Sequence, residues 1–281
     1  MKRWDAVAIV GVGLIGGSIG LALRRRRLAT EVIGIGRRAA SLRAARRVGA
    51  VTRTTLDLRK GVSRADLVVV CTPVDCIVRH VSAVAQACRG ETLITDAGSI
   101  KAAVVDGVQR EVGRHGRFVG SHPLAGSEQG GPDAASAELF DGRVVVVTPT
   151  RRTPAEDLQA VDDFWTALGG QVLHMPATTH DRIVAATSHG PHVVAAALAD
   201  STRADQLPLC ASGWRDATRI AAGDPELWTQ ILLGNSDQTL KALESVERSL
   251  KTLRHAIQHG DATALKRILA RAKRKRDALG S

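Results

Sequence analysis

Through the first part of the chain, short and largely apolar runs alternate with longer stretches whose apolar residues recur every three or four positions. The short runs are residues 6–10, 32–35, 67–71, 92–95, 118–120, 144–147 and 171–173. Continuous runs of this kind predict strands, and the run 67–71 predicts one buried on both faces of a parallel sheet. The periodic stretches predict helices at 17–25, 38–48, 74–88, 100–112 and 155–168. In 74–88, for instance, Ile77, Val78, Val81, Val84 and Cys88 fall on one stripe. Strand and helix in alternation predict an α/β domain with a doubly wound sheet.

Near Thr178 the pattern changes, and from there on nearly everything has helical period. Residues 181–200 predict a long helix interrupted at Gly190-Pro191. Asp224-Pro225 reads as a cap followed by proline at the first helical position. The helix after it runs toward His259, with a break near Gly234. Along it Leu243, Val246, Leu250, Leu253 and Ile257 form a narrow coiled-coil-like stripe. That stripe packs within the domain or, in the favoured reading, across a homodimer. Gly260 ends this helix and Asp261 caps a last one. The division expected is 1–177 for a Rossmann-type dinucleotide-binding domain and 178–281 for an all-α substrate and dimerisation domain.

Composition adds constraints. The 281 residues are 44% hydrophobic and 24% charged, the balance of a soluble globular protein, and only 2% aromatic. Cores must therefore be built from Val, Leu, Ile and Ala. No apolar run is long enough to span a bilayer. The N-terminus runs straight into the first strand without a signal-peptide pattern, which predicts a cytoplasmic protein. The cysteines Cys71, Cys76, Cys88 and Cys210 lack metal or redox spacing and are expected to be reduced. Net charge is +11, with basic clusters at 24–27, 37–47 and 266–276. Without interleaved aromatics or a recognisable module, these read as a solvated basic surface that attracts anionic ligands rather than nucleic acid.

The first strand is followed by Gly11-Val12-Gly13-Leu14-Ile15-Gly16 and then a helix. Gly11 permits a tight turn, Gly13 lets backbone approach a pyrophosphate, and Gly16 lets helix pack on strand. The free N–H groups at the helix start, Leu14 and Ile15 among them, then face the phosphates. Thr72 and Pro73, just after the fourth-sheet-type run 67–71, are assigned to the same cofactor site. In this fold an acid about 20 residues past the glycines holds the ribose 2′-hydroxyl. Here Gly36-Arg37-Arg38 stands in its place. Arginines suit a 2′-phosphate, so NADP is favoured over NAD. The competing reading makes Arg37 and Arg38 the exposed start of a basic helix.

Other segments carry chemistry. Ser99, between a strand and a helix, is a natural N-cap placed at the ligand-bearing end of the sheet. His122 follows a strand, in a loop fixed by Pro123 and Gly126, and is a candidate general base. Ser188 and His192 are four apart, on one helical face beside the break at Pro191. His189 and His192 have no third ligand near in sequence, which argues against a metal. Arg215 and Arg219, also four apart, present two guanidiniums to an anionic substrate.

Taken together, these segments resemble one family across nearly the whole chain, the prephenate and arogenate dehydrogenases of tyrosine biosynthesis. The resemblance rests on Ser121-His122-Pro123-Leu124-Ala125-Gly126-Ser127-Glu128, on Ser188-His189-Gly190-Pro191-His192, on Asp216-Ala217-Thr218-Arg219-Ile220-Ala221, and on Asp224-Pro225 with Trp228. It implies an NAD(P)-dependent oxidoreductase that oxidatively decarboxylates a cyclohexadienol, either prephenate or arogenate. His122 matches the catalytic histidine that accepts the C4 hydroxyl proton. Ser99 matches a serine that contacts that site and the nicotinamide. Arg219 matches the arginine that holds a substrate carboxylate, and Arg215 stands where relatives often carry lysine. Ser188, His192, Ser127 and Glu128 match pocket residues. Trp228 matches a tryptophan reaching the partner subunit's site, so a homodimer is implied. A dinucleotide sensor without turnover would keep the glycines but could lose His122, Ser99 or Arg219. A hydroxy-acid dehydrogenase is disfavoured because no lysine lies between Lys101 and Lys241.

Overall fold

The computed structural model describes residues 3–88, 90–113, 116–127 and 129–280. Within them one sheet is formed by β1 (Trp4–Val10), β2 (Ala29–Ile35), β3 (Arg53–Thr55), β4 (Leu67–Val70), β5 (Leu93–Asp96), β6 (Arg117–Pro123), β7 (Val144–Thr148) and β8 (Gln171–His174). Their order across the sheet is β3-β2-β1-β4-β5-β6-β7-β8. Neighbours are parallel from β3 to β6; β7 runs antiparallel to β6, and β8 parallel to β7. Because β2 and β4 both flank β1, successive connections leave β1 in opposite directions. The crevice they open lies over the C-terminal strand ends, where open α/β sheets bind ligands.

The central strands are buried on both faces, and their side chains alternate between two cores. Val7, Ile9, Leu67 and Val69 join one core with α1 (Leu14–Arg25), α2 (Ala39–Arg47) and α6 (Ala155–Ala167). Ala8, Val10, Val68 and Val70 join the other with α3 (Leu58–Val62), α4 (Val74–Ala87) and α5 (Ala102–Glu111). The few aromatics are concentrated: Phe140 and Phe164 pack edge-on against Trp165, at 5.5 and 5.1 Å between ring centroids. The Trp165 indole donates to Ser121 Oγ at 2.9 Å, so this core ends directly behind the strand carrying His122. β3 and α3 were not expected from the pattern. Arg53-Thr54-Thr55 has no apolar residue to mark it as a strand, and α3 spans five residues.

Beyond β8 the described chain is helical: α7 (Ala177–Val184), α8 (Gly190–Ser201), α9 (Ser212–Thr218), α10 (Pro225–Gly234), α11 (Ser236–Gln258) and α12 (Ala262–Asp277). The expected caps are present, Asp224 accepting from Leu227 N–H and Asp261 from Ala264 N–H. The interruption expected at Gly190-Pro191 takes a different form. Between α7 and α8 the helix widens through Ala185–His189, where Gly190 N–H reaches back to Ala185 O. The wider turn keeps the helix continuous where proline lacks an N–H and crowds the preceding turn. The two parts share a core: Ile231 of α10 is buried with the α4 and α5 side chains. No described helix is long and apolar enough to cross a membrane.

Candidate active site

The glycine turn has a geometric cause at each position. Gly11 sits at φ +96°, and a Cβ there would lie 2.6 Å from Cys71 O. A Cβ on Gly16 would lie 2.0 Å from Gly11 O, so α1 can close on the turn only without a side chain. Around Gly13, by contrast, there is nothing within 4 Å of the Cβ position. Gly13 flanks α1 without a side-chain cap, leaving the first N–H groups, including those of Leu14 and Ile15, directed into that open space. This cradle fits a pyrophosphate. The flanking strand ends are laced to it, with Gly11 N–H on Ile35 O at 2.8 Å and Cys71 N–H on Val10 O at 2.7 Å. Thr72 touches the Gly11 position with its methyl group and hydrogen-bonds His80 Nδ1 through its hydroxyl at 3.0 Å. Pro73 flanks the start of α4. Arg37 and Arg38 are exposed immediately after β2.

His122 lies within β6, opposite Val146 of β7, and not in a loop as expected. Antiparallel pairing with β7 carries the strand on through Pro123. His122 Nδ1 is 2.8 Å from His180 Nε2, and His180 Nδ1 is 2.7 Å from Asp181 Oδ1. Asp181 also accepts from the backbone N–H of Lys101 at 2.7 Å and of Ala102 at 2.9 Å. Burial works against the Asp181 carboxylate, but the bonds from His180, Lys101 and Ala102 outweigh it and hold its pKa below the ordinary value. A carboxylate can only accept, so His180 carries its proton on Nδ1. Its Nε2 then accepts from His122 Nδ1–H, which leaves His122 Nε2 as the basic nitrogen. Burial, then His180, Lys101 and His189, push the His122 pKa well below 6.5, so the ring is neutral at pH 7.

Beneath this chain Lys101 is fully buried. Its ammonium pairs with Asp96 and donates to Ser121 O at 2.9 Å. Asp96 in turn accepts from Ser121 N–H at 3.0 Å and Gly98 N–H at 2.9 Å. On the helical side, Asn235 Nδ2 donates to Asp181 O at 2.8 Å and lies 3.3 Å from His189 Nδ1. His192 stacks on Trp228 with centroids 3.5 Å apart and planes 11° apart. The turn Arg219–Ala222 packs against α8, which carries His192.

Residues 19–174 match the family model "Prephenate dehydrogenase, nucleotide-binding domain", and residues 176–271 match "Prephenate dehydrogenase, dimerization domain". The chain belongs to the prephenate dehydrogenase family. Among its relatives is a cyclohexadienyl dehydrogenase of Zymomonas mobilis, 36% identical over 99% of this chain and 97% of that one. A prephenate dehydrogenase of Bacillus subtilis is 35% identical over 98% of this chain and 76% of that one. In fold it is similar to prephenate dehydrogenase from A. aeolicus in complex with hydroxyphenyl propionate and NAD+. That likeness has a TM-score of 0.91 at 31% identity and covers 98% of both chains. Synechocystis arogenate dehydrogenase matches with a TM-score of 0.81 at 29% identity, over 98% of this chain and 99% of that one.

Against the prephenate dehydrogenase pattern, several expected placements need correction. Ser99 does not cap α5, which begins at Ala102. Asp181, arriving from α7, takes the free N–H groups there, so Ser99 stays half-buried beside the strand end. Ser188 lies in the widened turn and is exposed, while His192, four residues on, is buried. Arg215 and Arg219 are not on one continuous α-helix, because α9 ends at Thr218 and Arg219 opens a tighter turn. Both arginines are exposed. Trp228 stacks on His192, and a Cβ on Gly223 would come 2.4 Å from its Nε1, a placement that leaves its expected reach to a partner subunit untouched. Ser127 is exposed and bonded to Gln129. Glu128 lies outside the described residues. His180, Asp181, Lys101 and Asn235 were not singled out by sequence reasoning. The adjacent pair His180-Asp181, a titratable ring beside a carboxylate, was the available signal. Among the described residues, no group of three His, Cys, Asp or Glu side chains is placed to hold a metal.

Proposed function

We propose that this chain is an NADP-dependent prephenate dehydrogenase, converting prephenate to 4-hydroxyphenylpyruvate with loss of CO2. The observation that carries the reading is the neutral His122, oriented through His180 by Asp181 and set in the same sheet as the glycine cradle. When bound, the dinucleotide supplies the acceptor for the hydride that leaves C4 of the ring. His122 Nε2 accepts the proton of the C4 hydroxyl as that hydride departs. Loss of the C1 carboxylate as CO2 leaves its bonding pair in the ring, which becomes aromatic, and His122 can return its proton to the phenolate oxygen. Arg219 binds a substrate carboxylate, with Arg215 as a second positive charge. Ser99 would contact the substrate site and the nicotinamide. Ser188, His192, Ser127, Glu128 and Trp228 line the pocket.

Gly11, Gly13, Leu14, Ile15 and Gly16 hold the pyrophosphate, with Thr72 and Pro73 along its edge. Arg37 and Arg38 take the 2′-phosphate that distinguishes NADP from NAD. The helical domain forms a homodimer. In support, Leu250 and Ile257 of the α11 stripe are 57% and 65% exposed in the single chain. Arogenate is the second reading, supported by the likeness in fold to an arogenate dehydrogenase. The test crosses prephenate and arogenate with NAD and NADP and follows nicotinamide reduction. Prephenate with NADP is expected to give the highest kcat/KM. Reduction in none of the four mixtures would leave a dinucleotide-binding protein without turnover.

A further inference from the structure

The helix α4 starts just past the glycine turn's neighbour β4, while Arg37 follows β2. The buried stripe of this helix is Val74, Ile77, Val81 and Val84, which leaves Asp75, Cys76, Arg79 and His80 on the face turned away from the core. That face is tied to the glycine turn. His80 bonds Thr72, and Thr72 touches the Gly11 position. Arg79 Nη2 lies 3.4 Å from Cys76 Sγ, one turn earlier on the same helix. Across the turn, Gly11 N–H binds the last residue of β2, so Gly36-Arg37 and the start of α4 flank one crevice.

Electrostatics reports the same proximity. Burial lowers the His80 pKa first, and Arg79 and Arg37 lower it further, against Asp75. Both guanidiniums also act on the Cys76 thiol. Arg37, just after β2, and Arg79, on α4, are thus cations from separate elements flanking one turn, with Asp75 the acid on the same helix as Arg79.

We propose that Arg79 is a second specificity-determining cation of the cofactor site, forming with Arg37 a two-sided clamp for the phosphomonoester on the adenosine ribose of NADP. The proposal rests on the NADP reading above. A ribose 2′-phosphate carries three acceptor oxygens and close to two negative charges, enough for guanidiniums approaching from both sides. Arg37 and Arg38 would contact it from the β2 side; Arg79 closes the other.

The test uses 2′,5′-ADP, 5′-ADP and inorganic phosphate as probes, titrated calorimetrically into wild type, Arg37→Gln, Arg79→Gln and Arg271→Gln. The last removes a distant charge from α12 and controls for general basicity. Arg79→Gln is expected to weaken 2′,5′-ADP about tenfold, the loss of one charge-assisted contact, and to leave 5′-ADP within about twofold. Arg271→Gln should change neither. If Arg37→Gln selectively weakens 2′,5′-ADP and Arg79→Gln does not, the clamp is wrong while the NADP reading stands. Equal weakening of both nucleotides by Arg79→Gln would also overturn it, assigning Arg79 to the rest of the adenosine. Wild type that binds 2′,5′-ADP no tighter than 5′-ADP would overturn the NADP reading itself. Competition by inorganic phosphate at the same concentration would make this a free-phosphate site and overturn the assignment to a ribose phosphate.

Discussion

The two ends of the active cleft are built on opposite principles. The cofactor end is local. Six consecutive residues, Gly11 to Gly16, make the cradle, and the strand and helix on either side hold it. The end that holds His122, the proposed base, is assembled. His122 comes from β6, Lys101 from the start of α5, His180 and Asp181 from α7, and Asn235 from the joint between α10 and α11. A local site can form as soon as one βα unit folds. An assembled site exists only when the two halves of the chain are docked, and every element bearing on His122 then affects its chemistry.

The sharpest test of this contrast is His122→Asn. It is expected to lower kcat by about 10²- to 10⁴-fold, the usual worth of a general base, with dinucleotide affinity unchanged. A matching loss of dinucleotide affinity would mean that the two ends are not separable. Next comes Asp181→Asn, which puts an amide where the carboxylate now accepts three bonds. Thermal melting should show a loss of about 1–3 kcal/mol, and kcat should fall about tenfold or more. Unchanged melting with reduced kcat would remove Asp181 from the docking of the halves.

At the cofactor end, Gly16→Ala and Gly13→Ala should separate cleanly. The first forces a clash with Gly11 O and is expected to cost about 1–3 kcal/mol of stability. The second enters open space and should leave stability within about 0.5 kcal/mol while weakening dinucleotide binding, as calorimetry would show. The smallest effect is on pH. Protonated His122 cannot act as a base, and its pKa lies below 6.5. The acid limb of kcat/KM should therefore fall below pH 6.5, and a limb above that value would contradict the burial of the ring. Stability follows the same sign. Burial chiefly pushes His189 down to about 4, against an ordinary 6.5. The unfolded chain takes up that proton first, so His189 contributes stability in full above about pH 6.5 and loses it as pH falls toward 4.

The same contrast explains what could be read from the sequence. The glycine turn, the buried run of β4, the caps Asp224 and Asp261 and the break near Gly234 were all legible, because their determinants are neighbours in the chain. The base end was legible only as separate pieces. His122 stood out as a candidate, but its partner His180 lies 58 residues away. Ser99 was read as a cap because it precedes a helix; the cap that forms comes from Asp181, 80 residues on from Lys101. β3 was missed because three polar residues on a sheet edge carry no alternation.

One carboxylate has a further consequence. Asp181 caps the start of α5 in the dinucleotide-binding half and, through His180, sets the proton position of His122 in that same half. Attachment of the helical half and readiness of the base are thus one event. A chain whose helical half has come away keeps its glycine cradle, but nothing fixes the tautomer of His122. With His122 as the proposed base, such a chain is expected to hold a dinucleotide and do no chemistry with it.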